Sequence, residues 1–201
     1  MKKIVISSVS VIVLLGSFVL FFNRAPERTI PEIGITSPAS GKVIAIIPTN
    51  TPTITFEKQG IINTVEIPEL TGSMNMILIE MNPMDVHVQR APISGKIIDM
   101  EHYNGKHINA IGKDKLTILN SNEKTVTVFK NETDTVGVIQ VAGKAARRIR
   151  NFVKTGDNLS KGQVYGRIIL GSQVVVIVPS ENEVQVKIGD RVVDGQTILF
   201  K

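Results

Sequence analysis

Gly166-Arg167-Ile168-Ile169-Leu170-Gly171-Ser172-Gln173-Val174-Val175-Val176-Ile177-Val178-Pro179 is the stretch on which the reading of the fold turns. Two apolar, largely β-branched runs, Ile168 to Leu170 and Val174 to Val178, flank a Gly-Ser pair. Runs of this kind read as buried strands. A glycine between strands marks a tight bend or a close backbone approach. Gly171-Ser172 is therefore expected to be a turn in a rigid frame, with the serine hydroxyl beside the preceding carbonyl. Two readings follow. One is a loop glycine followed by a solvated serine. In the other, the hydroxyl attacks the Gly171 carbonyl to give an ester. Elimination then cuts the chain and leaves dehydroalanine, which hydrolyses to an N-terminal pyruvoyl group.

Outward from this stretch, the chain alternates short Val/Ile/Thr segments with Gly, Asn, Asp and Pro. Lys42 to Ile47, Thr53 to Phe56, Met76 to Glu80, Lys96 to Met100, Thr125 to Phe129 and Val136 to Val141 are examples. This spacing predicts a mainly β domain. One departure, residues 143–150, predicts a short helical turn. With 201 residues, 42% apolar and only 4% aromatic, the core must be filled by Val and Ile. The chain has no cysteine, which excludes disulfides, thiolate nucleophiles and Cys-based metal sites. Its three histidines lack metal-ligand spacing, so no metal is expected. The net charge of +5 suits an anionic lipid surface. No Lys/Arg run interleaves with aromatics, so no nucleic-acid partner is expected.

Met1-Lys2-Lys3 precedes an uncharged run from Ile4 to Phe22. At ~1.5 Å per residue the run spans about 29 Å, close to a bilayer core. It predicts one N-terminal transmembrane helix over 1–22, uncleaved because no Ala-x-Ala-like site follows. Residues 23–36, with Pro26 and Pro31, read as a linker. Residues 37–201 read as the β domain.

Two pairs of internal repeats shape that domain. Ser37-Pro38-Ala39-Ser40-Gly41-Lys42-Val43 resembles Ala91-Pro92-Ile93-Ser94-Gly95-Lys96-Ile97. Val153-Lys154-Thr155-Gly156-Asp157-Asn158-Leu159-Ser160-Lys161-Gly162-Gln163 resembles Val186-Lys187-Ile188-Gly189-Asp190-Arg191-Val192-Val193-Asp194-Gly195-Gln196. The Gly-Asp and Gly-Gln pairs read as tight turns. The pattern is similar to the hairpins of lipoyl- and biotinyl-like domains, and predicts a β-sandwich or barrel-like hybrid.

Asp85, His87 and Gln89 alternate and share one face if the segment is a strand. An aspartate beside a histidine can set its tautomer for acid–base work, or form a structural pair in a turn. His102 and His107 fall in a loop-like segment and read as solvated.

Taken in order, these segments resemble phosphatidylserine decarboxylase proenzymes of the short prokaryotic type. The resemblance rests on Phe21-Phe22-Asn23-Arg24-Ala25-Pro26-Glu27-Arg28, on Met84 to Gly95, and on Tyr103-Asn104-Gly105-Lys106 with Asn109-Ala110. It continues through Gln140 to Gly143, Ala146 to Ile149, and Leu170-Gly171-Ser172. It implies cleavage between Gly171 and Ser172 into a large and a small chain. The cofactor would be a pyruvoyl group made from Ser172, and the reaction decarboxylation of phosphatidylserine to phosphatidylethanolamine. His87 would assist the chemistry, with Asp85 supporting it. Arg147 or Arg148 could hold the lipid phosphate, or could belong to a solvated basic turn. The partners would be phosphatidylserine and a phospholipid membrane, with the chain at the cell membrane as a single-pass anchor or peripherally. The sequence departs from the family pattern at Ser40, where an aspartate of the processing machinery is usual, and at Gln173 and Val175. Arg90 stands where some relatives carry a second histidine. Restoring the carboxylate, Ser40→Asp, is expected to speed splitting. The alternatives are an uncleaved, degenerate homologue that binds lipid or protein, and a lipoyl-like carrier. The carrier would need a hairpin lysine that Glu80-Met81-Asn82 lacks.

Overall fold

The computed structural model describes residues 10, 11, 13, 14, 16, 17, 20–50, 53–58, 61–67, 70–105, 122–143, 149–168 and 172–201. Among these residues the strands are β1 (Ile35–Thr36), β2 (Gly41–Thr49), β3 (Thr53–Lys58), β4 (Ile61–Glu66), β5 (Met74–Met81), β6 (Val88–Arg90) and β7 (Gly95–Tyr103). They continue with β8 (Lys124–Lys130), β9 (Thr135–Ala142), β10 (Ile149–Asn151), β11 (Asn158–Leu159) and β12 (Val164–Ile168). The last are β13 (Ser172–Pro179), β14 (Arg191–Val192) and β15 (Ile198–Phe200). Eight of them form one antiparallel sheet in the order β11-β7-β8-β9-β13-β5-β2-β14. A three-stranded sheet, β10-β12-β6, and the pairs β1-β15 and β3-β4 complete the set.

The Val-rich segment is the centre of the large sheet. β13 pairs with β5 from Ser172↔Met81 to Pro179↔Met74, and with β9 from Ser172↔Ala142 to Ile177↔Gly137. Both its faces are covered. Val174, Val176 and Val178 pack with Ile77, Ile79, Tyr165, Leu199 and Phe200. Val175 and Ile177 pack with Ile67, Leu70, Met76, Leu78 and Ile139 on the other side. Each such burial contributes about 1.5–3 kcal/mol relative to exposure. This explains why the run is unbroken by polar residues, whereas a strand with one wet face would alternate.

The repeats pair with one another and set the edges of the sheet. β11 lies on β7 through Asn158↔Lys96 and Leu159↔Gly95. β14 lies on β2 through Arg191↔Lys42 and Val192↔Gly41. Both Gly-Asp turns have the same structure, with φ of 98° at Gly156 and 102° at Gly189. In each, the aspartate carboxylate accepts an amide hydrogen from the residue three earlier, Lys154 at 3.0 Å and Lys187 at 2.8 Å. Equivalent register shifts occur between Val43 and Ala45 in β2 and between Ile97 and Asp99 in β7.

Two sequence expectations are corrected. The large sheet is curled rather than one layer of a flat sandwich or a closed barrel hybrid. The paired bulges account for this, because an extra residue bends a strand and increases its twist. The expected N-terminal transmembrane helix is also overturned. Among the described residues no helix is long and apolar enough to cross a membrane. A smaller correction concerns residues 143–150: Ile149 and Arg150 belong to strand β10, and residues 144–148 lie outside those described.

Gly41 and Gly95, equivalent in the repeat, are glycine for one reason. A Cβ on Gly41 would lie 2.3 Å from the Glu80 carbonyl oxygen, and one on Gly95 2.4 Å from that of Lys130. Both obstacles are backbone and cannot swing away. Gly41→Ala and Gly95→Ala should each destabilise the fold by about 1–3 kcal/mol, read from urea unfolding midpoints.

Candidate functional site

Ser172 is the first residue of β13 and is fully buried, between Met81 and Ala142 on the flanking strands. It is neither the solvated serine nor the turn residue that the Gly-Ser pair suggested. Strand pairing on both sides captures it, and Gly171 lies outside the described residues. The serine hydroxyl donates to Met81 Sδ at 3.2 Å. A thioether is a weak acceptor, so this contact binds the hydroxyl loosely.

Gln89 links Ser172 to His87. The Gln89 amide donates to the same Met81 sulfur at 3.8 Å and to the His87 carbonyl at 3.1 Å. Its own oxygen accepts from Gln140 Nε2 at 3.1 Å. The backbone fixes the rest, because Ile168 N–H donates to the His87 carbonyl at 3.1 Å, at the end of the segment that leads to Ser172.

The expected Asp85–His87 side-chain pair does not form. The ordered strand β6 starts at Val88, so Asp85 and His87 sit in the preceding loop. His87 Nδ1 instead meets the Asp85 backbone carbonyl at 2.8 Å. A carbonyl can only accept, so Nδ1 carries the hydrogen and Nε2 presents a lone pair. Nε2 is buried and has no hydrogen-bond partner among the described residues. Burial is the largest influence on this imidazole and pushes its pKa below 6.5. The Asp85 carbonyl and charge oppose that shift, while the Arg24 and Arg167 guanidinium groups reinforce it. His87 is thus a neutral base at pH 7. The Asp85 carboxylate accepts from the Asn82 amide at 2.8 Å and pairs with Arg191.

Ser40 belongs to a separate buried cluster. Its hydroxyl donates to Asp194 Oδ1 at 2.5 Å and accepts from the Asp194 amide at 3.1 Å. Asp194 is fully buried and also takes Arg28 at 2.6 Å and Arg90 at 2.7 Å. Arg90 is held further by the carbonyls of Gly162 and Pro26, at 2.8 and 2.6 Å. With its carboxylate engaged by two guanidiniums and a hydroxyl, Asp194 has no role left as a base. Sequence reading missed it because its Gly-Gln turn looked purely structural. At position 40 the structure adds a stability cost to Ser40→Asp: a new carboxylate would face a buried one.

Arg147, Arg148 and His107 lie outside the described residues. His102 is half exposed and meets Thr125 Oγ1 at 3.0 Å and Glu123 at 3.7 Å.

Comparison with known proteins places most of the chain beside one family. The family model described as phosphatidylserine decarboxylase matches residues 15–200. A protein of Methanocaldococcus jannaschii, provisionally named as an archaetidylserine decarboxylase proenzyme, is 36% identical over 90% of this chain and 88% of its own. The phosphatidylserine decarboxylase proenzyme of Geobacter metallireducens is 36% identical over 90% of this chain and 76% of its own. That of Carboxydothermus hydrogenoformans is 38% identical over 92% and 80%.

Asp194→Ala strands two largely buried guanidiniums and should cost about 3–5 kcal/mol, measured by chemical denaturation. Ser40→Asp should lower the thermal midpoint at pH 7, because two adjoining buried carboxylates cannot both ionise cheaply. Ser40→Ala should lose less, about 1 kcal/mol.

Proposed function

The chain belongs to the phosphatidylserine decarboxylase family, and from that premise we propose that it is a decarboxylase of phosphatidylserine, giving phosphatidylethanolamine, made active by its own cleavage between Gly171 and Ser172. The observation that carries the proposal is a fully buried, loosely bonded serine connected through the Met81 sulfur and Gln89 to the backbone of a buried neutral histidine, whose Nε2 has no partner among the described residues. An unsatisfied buried nitrogen costs stability, and such groups persist where chemistry uses them.

In the cleavage step, the Ser172 oxygen attacks the Gly171 carbonyl carbon as the amide bond breaks, leaving an ester. Loss of the Ser172 Cα proton expels the Gly171 carboxylate. The dehydroalanine that remains takes up water and releases ammonia, leaving the ketone. His87 Nε2 is the group suited to accept the hydroxyl proton. The residues present fit a small apolar-walled keto group: Met81 and Ala142 flank Ser172, and no charged side chain bonds it. When formed, the pyruvoyl group supplies an electron sink for the bond between the substrate's Cα and its carboxylate. The protein's own part is orientation and proton handling. Gln89 and Gln140 hold the backbone around His87, and the Asp85 carbonyl fixes which imidazole nitrogen is free.

The membrane contact we propose is peripheral. Val11, Val13, Leu14 and Leu20 of the N-terminal helical segment are 52%, 61%, 69% and 74% exposed. An apolar patch of this kind suits a lipid surface.

Intact-mass measurement and denaturing electrophoresis test the reading. Wild type should separate into 1–171 and 172–201, the smaller with a blocked, keto-bearing N-terminus. Ser172→Ala should stay whole. A wild-type chain that stays whole would overturn the proposal in favour of an uncleaved homologue. The splitting rate should be flat above pH 6.5 and fall only in more acid solution, because His87 titrates below the ordinary histidine value. A rate that still climbs between pH 7 and 8 would remove His87 as the base.

A further inference from the structure

Arg24 and Arg167 converge on His87 from two different elements. Arg167 lies on β12, across from Val88 on β6. Its two guanidinium nitrogens both end on Asn23, Nη1 on the side-chain oxygen and Nη2 on the backbone carbonyl at 3.1 Å. Arg24, the next residue, donates to the carbonyls of Phe21 at 2.8 Å and Met84 at 2.6 Å. Its guanidinium sits 3.8 Å from the centre of the Phe21 ring. Among the described residues neither arginine has an acidic partner. The carboxylate near them, Asp85, is taken by Arg191. Two half-buried cations thus stand beside a buried neutral histidine with no anion to balance them.

The oxygens that fill the Arg167 fork are both neutral and come from one residue. A guanidinium fork matches two oxygens of a phosphate or carboxylate, and binds the charged pair more strongly than a neutral one. Asn23 therefore occupies the place of an anion. Next to it runs an apolar groove of about 420 Å³ lined by Leu14, Ser17, Phe21, Phe22 and Met84.

We propose that Arg24 and Arg167 form the site for the phosphodiester of the lipid substrate, with Asn23 as the placeholder it displaces. This rests on the decarboxylase reading, and the order of groups selects phosphate over carboxylate. Along a serine phospholipid the sequence is amine and carboxylate, then phosphate, then glycerol and acyl chains. Along the protein, Ser172 connects through Gln89 to His87, the two arginines flank His87, and Arg24 touches Phe21 and Met84 of the apolar groove. With the amine toward Ser172 and the acyl chains toward the groove, the phosphate is the anionic group between the two ends and so the match for the arginines.

The test uses full-length Ser172→Ala protein, so that binding is read without cleavage or turnover. Inorganic phosphate, glycerophosphoserine, and phosphatidylcholine vesicles with or without phosphatidylserine serve as probes. Glycerophosphoserine should bind, and adding Arg167→Met or Arg24→Met should weaken it about tenfold or more. Arg167→Lys should recover only part, because it keeps the charge and loses the fork. Vesicles should bind more tightly when they contain phosphatidylserine, and the Arg167→Met change should erase that difference. Inorganic phosphate bound as tightly as glycerophosphoserine, with no gain from phosphatidylserine vesicles, would overturn the lipid assignment. Unchanged glycerophosphoserine affinity in both methionine variants, with normal unfolding midpoints, would overturn the site. These results separate from the cleavage reading: a wild type that splits while the arginine variants bind normally keeps the enzyme and loses this site. An arginine-dependent binder that never splits keeps the site and loses the enzyme.

Discussion

The structure depends on burying both faces of one strand. β13 has no wet side and no free edge along most of its length, so its position is over-determined by packing and by two ladders of hydrogen bonds. Ser172 inherits that rigidity because it is the first residue of the strand. A serine whose backbone is held this firmly in a dry interior, with its hydroxyl only loosely bonded, is presented in a way that a solvated loop serine is not. The apolar run and Ser172 are thus one feature, and substitutions deep in the strand act on the serine through position rather than contact.

Polar groups in this interior divide by how fully they are satisfied. Asp194 is saturated by Arg28, Arg90 and Ser40, and a buried charge so paired serves to hold elements together. His87 is half satisfied, with one nitrogen bonded and the other bare. The same low dielectric that makes an unmet acceptor expensive keeps the imidazole neutral and basic. The contacts give Ser40 and Arg90 a structural part around Asp194, and leave His87 with an unpartnered nitrogen among the described residues.

Much of the fold was legible before any coordinates. The β-branched runs at 42–47, 76–80, 96–100, 125–129, 136–141 and 174–178 all fall inside observed strands. Gly-Asp pairs marked their turns because few other residues tolerate that backbone. What was illegible was pairing at a distance. Alternation put Asp85, His87 and Gln89 on one strand face. The strand starts only at Val88, however, and the opposite set of Val86, Val88 and Arg90 is buried as well. Asp85 turns its carbonyl, not its carboxylate, to the ring. Asp194 looked like any turn aspartate until two arginines from remote segments were brought to it. The N-terminal segment was misjudged for a different reason: hydropathy reports what lipid would accept, and not which helix is built among the described residues.

The duplication explains why the site lies at one end of the sheet. The two copies use the same serine contact, Asp194 N–H to Ser40 Oγ at 3.1 Å and Lys161 N–H to Ser94 Oγ at 2.9 Å. They differ in the side chain at that turn, and both side chains grip the segment after the helix. Lys161 Nζ donates to the Glu32 carbonyl at 3.2 Å, and Asp194 pairs with Arg28. Between them Ile30 presses on the two equivalent turn glycines, where a Cβ on Gly162 would come within 2.3 Å of it and one on Gly195 within 3.0 Å. Those glycines have φ of 81° and 72°, so side chains are excluded there by conformation as well as by space. From Ile30 the segment runs back past Arg90, which holds the Pro26 carbonyl, to Asn23 on Arg167. A proline-containing stretch that could have been a loose tether is therefore fastened along its course. Its last fastening sets Arg24 beside His87, whose Nε2 has no hydrogen-bond partner among the described residues. The symmetric core supplies the rigidity, and the asymmetric strap across it supplies the charge.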